Sequence, residues 1–175
     1  IVYLEAETPN KADDIVNKYK EILENKPDDP LVNYEIGFLY NNLPLESFNE
    51  ENVRGKAIFA LKKATEIMKG DIDVHFELAR AYKREAMYDE AVSEYQKIIE
   101  LSPQNVEARL TLGYILELNR QFDEAMEQYN KCIEFDKDCG EAHARIVDLY
   151  YKMYEKDENK TQKFFQLLQD YKKSA

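Results

Sequence analysis

The chain has no tryptophan, two cysteines, two histidines, and only five glycines and five prolines in 175 residues. So few helix breakers exclude a loop-rich chain, and the abundant Glu, Lys, Leu and Ala point to helices. Cys132 and Cys139 match no metal or redox spacing and read as free thiols. No apolar run approaches the roughly 20 residues that span a bilayer. The opening residues, Ile1 to Glu5, lack the basic start and apolar centre of a signal peptide. With no initiating Met the chain reads as a segment of a longer one, and a cytoplasmic location is the default.

Positive charge is the other deficit: 24 Lys and Arg face 35 Asp and Glu, for a formal charge of −11. An acidic surface is repelled by phosphate backbones and anionic lipid, which argues against nucleic-acid binding. Catalytic signatures are missing too: there is no Gly-rich phosphate loop, HExxH or Gly-x-Ser-x-Gly elbow. Carboxylates such as Asp13-Asp14 and Glu50-Glu51 fall on polar faces or turns, and no sequence feature builds a pKa-shifting pocket around them. The chain is accordingly not read as an enzyme, and no catalytic residue, cofactor or metal site is expected.

What is present is a repeat. Tyr88-Asp89-Glu90-Ala91 and Phe122-Asp123-Glu124-Ala125 lie 34 residues apart, and the offset also pairs Leu78 with Leu112, Ala79 with Gly113 and Tyr95 with Tyr129. Within a unit, Leu78, Ala79 and Tyr82, then Ala91, Tyr95 and Ile98, keep helical spacing on either side of a polar turn. Pro103 stops the second helix and marks the corner into the next unit. His75 and His143 are two repeat lengths apart, so they read as packing substitutes in equivalent slots and not as a metal pair.

In these residues the chain resembles the tetratricopeptide repeat, with His75, Leu78-Ala79, Tyr82, Ala91, Tyr95 and Pro103 in the pattern's slots. The next unit follows with Arg109, Leu112-Gly113, Leu116, Ala125 and Tyr129, and Lys137 replaces the proline. The resemblance implies an all-α, right-handed superhelical solenoid of antiparallel helix pairs. Its expected organisation is a partial repeat at 1–29, repeats at 30–71, 72–105 and 106–139, and a degenerate repeat with capping helices at 140–175. Tyr40 to Ala57 is eight residues longer than Tyr82 to Ala91, which places an insertion in the 30–71 unit at about 41–53. Small residues such as Gly113 mark close helix approaches, so a bulky substitution there overpacks the stack at a cost of roughly 1–3 kcal/mol.

The family's first helices line a groove that takes a partner peptide or helix, and offset stacking of equal units leaves a concave face. The inner slots hold Tyr34, Phe38 and Asn41, then Asp73, Phe76, Glu77 and Arg80, then Leu110, Tyr114 and Glu117, then Arg145. Mixed aromatics and carboxylates predict a partner segment with apolar anchors and basic character. The aromatics have an alternative reading as packing between adjacent first helices. The lysine-rich clamp of chaperone-binding members is absent: its slots hold Tyr34, Phe38, Glu77, Glu107 and Thr111. Leu45 and Phe48 of the insertion are a second candidate contact, or else a small satellite core. The expected role is a protein-binding scaffold, with self-association as the alternative.

Overall fold

A computed structural model describes residues 11–45, 48, 52–154, 165, 166 and 169. The first ten residues of the expected partial repeat at 1–29 lie outside them, as do most residues after Tyr154 of the expected capping segment at 140–175. The described residues form eight helices and no strand: α1 Lys11–Asn25, α2 Pro30–Asn42, α3 Val53–Ile67, α4 Ile72–Arg84, α5 Tyr88–Leu101, α6 Val106–Leu118, α7 Phe122–Phe135 and α8 Gly140–Tyr154. Two compact units divide the chain at Glu94/Tyr95, within α5.

In the first unit α1 packs on α2, α2 on α3 and α3 on α4, while α2 also touches α4. The core is built from the small and aliphatic stripe: Val16, Ile36, Leu39, Ala57, Leu61 and Ala64 are all buried. In the second unit α6 packs on α7 and α7 on α8, with α6 beside α8. Leu112, Ile115, Ala125, Tyr129, Cys132, Ala142 and Leu149 fill that core. Burial pushes the Cys132 thiol up to about 12, with Cys139 adding to the effect, so at neutral pH this thiol stays protonated and serves as a small apolar filler.

The corners are built alike. Asp29, Asp71 and Asn105 cap α2, α4 and α6 by accepting backbone N–H groups of the first turn. A second device recurs at each corner. Asn33 Nδ2 donates to the carbonyl of Pro27, Arg109 Nε and Nη2 to that of Pro103, and ring Nε2 of His75 and His143 to those of Lys69 and Lys137. All four contacts reach back six residues from the same repeat slot. The histidines are thus corner ties, and the slot selects an N–H donor of adequate reach.

The turns share one strained position. Asn52, Ala86 and Arg120 have φ of 54°, 56° and 60°, in the left-handed region that β-carbon residues seldom enter. The slot precedes α3, α5 and α7 alike, so the insertion ends just before a normal repeat turn. Of its two apolar side chains, Phe48 is 7% exposed and packs edge-on against Tyr40 with ring centroids 5.0 Å apart. Phe48 therefore belongs to the core cluster, the packing alternative of its two readings. Leu45, at 44% exposed, does reach solvent.

Candidate functional site

The first helices of consecutive repeats form one face in each unit. On the α2–α4 face, Tyr34 and Phe38 stand one turn apart with ring centroids 6.0 Å apart, and both are half-buried. Phe76 and Arg80 on α4 are half-buried and Asp73 is exposed. Burial, followed by the charges of Glu77, Asp73, Glu35 and Asp71, pushes the Tyr34 hydroxyl up to about 12. Four carboxylates therefore act on this end of the face.

Glu77 is a different case. Its side chain is 8% exposed, and it accepts from Asn41 Nδ2 at 2.7 Å, Asn42 Nδ2 at 2.9 Å and Arg80 Nη1 at 2.9 Å. Asn41 is buried as well and accepts from Arg84 Nη1 at 3.1 Å. The open-groove reading of Glu77 and Asn41 is thereby corrected. Both are internal ties between α2 and α4, because a buried carboxylate is stable only when its oxygens are satisfied. The signal available in sequence was the Asn41-Asn42 pair at a helix end, but nothing local names its partner 35 residues away.

The α6–α8 face follows the same plan. Leu110 and Tyr114 are half-buried, and the Arg145 guanidinium sits 4.6 Å from the Tyr114 ring centroid. Glu117 has a side chain 6% exposed, with Tyr129 Oη at 2.5 Å, Lys152 Nζ at 3.4 Å and Arg145 Nη1 at 4.0 Å. The tyrosine hydroxyl donates to this carboxylate, and burial together with that bond raises its pKa well above the usual range. Of the predicted residues, the fold brings together Tyr34 with Phe38, Glu77 with Arg80, and Tyr114 with Arg145. The Glu117–Tyr129 tie was not expected, since its hydroxyl comes from a second helix.

Among the described residues no helix is long and apolar enough to cross a membrane. None of them form a group of three or more His, Cys, Asp or Glu able to hold a metal. Residues 84–149 match the tetratricopeptide-repeat family. No curated protein sequence matches the chain. Solved structures do: MamA is similar over 93% of this chain and 82% of its own, at 18% identity and a TM-score of 0.76. YrrB, described as a TPR protein with an unusual peptide-binding site, is similar over 94% of this chain and 78% of its own, at 20% identity and a TM-score of 0.74. Residues 84–149 are thus tetratricopeptide repeat in sequence, and the chain as a whole has the tetratricopeptide fold.

Proposed function

We propose that this chain is a protein-interaction module that holds a segment of a partner protein on the inner face of its first helices. The observation that carries the reading is the half-buried aromatic strip of Tyr34, Phe38 and Phe76, which lies outside the buried core. Rigid aromatics of this kind supply most of the energy at interfaces. Leu110, Tyr114 and Arg145 form the corresponding surface of the second unit. YrrB, described as having an unusual peptide-binding site, shares the fold. The carboxylates acting on Tyr34 support a basic anchor in the partner at that end.

Peptide display against the immobilised chain, followed by fluorescence anisotropy with a selected peptide, tests the reading. Phe38→Ala combined with Phe76→Ala is expected to weaken binding by about thirtyfold or more, the effect of losing a hot spot of roughly 2 kcal/mol. Unchanged affinity in a variant that melts normally would remove the aromatic strip from the site.

Self-association is a second reading with an observation of its own. Phe59 on α3 is 64% exposed and Ile67 on the same helix 56%, which is unusual for large apolar side chains of one helix. The equivalent slots of the next two repeats hold Ser93 and Glu127 in place of Phe59. Light scattering across a concentration series is expected to show growth that Phe59→Ser abolishes. A monomer at every concentration sinks this second reading and leaves the first intact.

A further inference from the structure

Charge on the α2–α4 face is sorted by end. The two helices run the same way: Tyr34 lies in the field of Glu77, Asp73, Glu35 and Asp71, while Asn41, seven residues on, binds Glu77 and Arg84, so Glu77 stands between the two ends. Glu35, Asp71 and Asp73 gather at the N-terminal end. Arg80, Lys83 and Arg84 gather at the C-terminal end, where Arg54 of α3 joins them. Among the described residues, the carboxylates nearest that end are Glu77, tied to Asn41, Asn42 and Arg80, and Glu85, paired with Arg54 at 3.1 Å.

Lys83 lies among these cations, and its pKa is lowered by burial and then by the charges of Arg80 and Arg84. Basic residues at a helix C-terminus do favour the helix dipole. That need does not account for the cluster, because α2 and α6 end with no basic residue in their last turn. The same end also opens into a cleft of about 420 Å³, whose lining includes Asn42, Leu43, Leu45, Arg54 and Arg84. Guanidinium groups in a largely polar cleft suit a carboxylate.

We infer that the α2–α4 face takes a charge-ordered, extended segment of a partner protein. A basic residue lies at the Tyr34–Asp73 end, an apolar side chain rests on Phe38 and Phe76, and a carboxylate enters the cleft beside Arg54 and Arg84. The inference rests on the peptide-binding reading and changes it from a basic partner to a bipolar one. Asp73 and Arg84 are eleven positions apart on α4, about 16 Å along a helix. An extended chain covers that in about five residues, which sets the spacing between the two opposite charges in the partner.

Three labelled heptapeptides with a central leucine, titrated into the whole chain by anisotropy, test it: Lys-Lys-Ala-Leu-Ala-Glu-Glu and its counterparts with four Lys or four Glu. The mixed peptide is expected to bind about tenfold more tightly than either single-sign peptide, with the difference shrinking at high salt. Asp73→Lys is expected to move the preference to the all-Glu peptide. Arg84→Glu is expected to move it to the all-Lys peptide, as is Arg54→Glu, each variant being first checked to melt like the parent. An all-Lys peptide that equals or beats the mixed one on the unaltered chain overturns the inference, as do preferences that the swaps leave unmoved. Equal binding of all three removes charge order but leaves the peptide-binding reading standing. If none binds, both fall.

Discussion

Gly113→Leu is expected to be the most damaging single substitution in the second unit, lowering stability by about 3 kcal/mol, the upper part of the overpacking range. A Cβ at Gly113 would lie 2.5 Å from Tyr129 Cε1 and 2.8 Å from Cζ, closer than such atoms come. The ring cannot retreat cheaply, because it is fully buried and its hydroxyl is bound to Glu117 at 2.5 Å. Gly113→Ala separates the opposing effects. Alanine favours the helix by about 1 kcal/mol over glycine, yet its methyl group already meets the ring, so a net loss is still expected. In thermal melts the leucine variant should fall by roughly 6–12 °C for a chain of this size. A melting point within a degree or two of the parent would mean that α6 and α7 do not approach as closely as the structure shows. Gly37, whose Cβ would lie 2.5 Å from Leu61 Cγ, offers the same test in the first unit.

Removing Glu94 is expected to cost roughly 1–3 kcal/mol, the range for leaving a buried polar atom without its hydrogen-bond partner. His75 is almost fully enclosed, with Nδ1 at 2.6 Å from Glu94 Oε2 and Nε2 at 3.0 Å from the Lys69 carbonyl. A carbonyl can only accept, so Nε2 carries a proton, and the contact to Glu94 requires a second one shared between ring and carboxyl. Glu94→Ala leaves a buried ring nitrogen with no answering group.

The repeat supplies its own control. One unit later the same two slots hold Arg109 and Gln128, joined at 3.1 Å, with Arg109 making the corner tie to Pro103. The double variant His75→Arg, Glu94→Gln copies that arrangement and should recover most of the loss in denaturant titrations. A double variant no better than Glu94→Ala would show that the slots are not interchangeable between repeats.

These two sites also show how far the one-dimensional pattern reaches. A 34-residue offset is a local property, carried by which residues recur at which interval. Every helix must bury a stripe, and every corner must satisfy its backbone groups. The helix-turn-helix repeat, the all-α fold and the small residue at Gly113 were therefore legible before any coordinates. The position of His75 was legible as a repeat slot, but its work as a corner tie was not, since a carbonyl six residues back carries no side-chain signature.

That Tyr34 and Phe38 share a helix face was likewise readable from their spacing, whereas the fate of the charges beside them was not. Glu77 and Glu117 occupy slots that read as open groove, yet each is drawn inward by donors from helices distant in sequence. Leu45 and Phe48 sit three residues apart in one insertion, and only the presence of Tyr40 opposite Phe48 separates exposed from buried. Periodicity specifies which way a side chain points. Whether a carboxylate there meets solvent or an amide depends on what another helix brings within about 3 Å, and only the tertiary structure decided that.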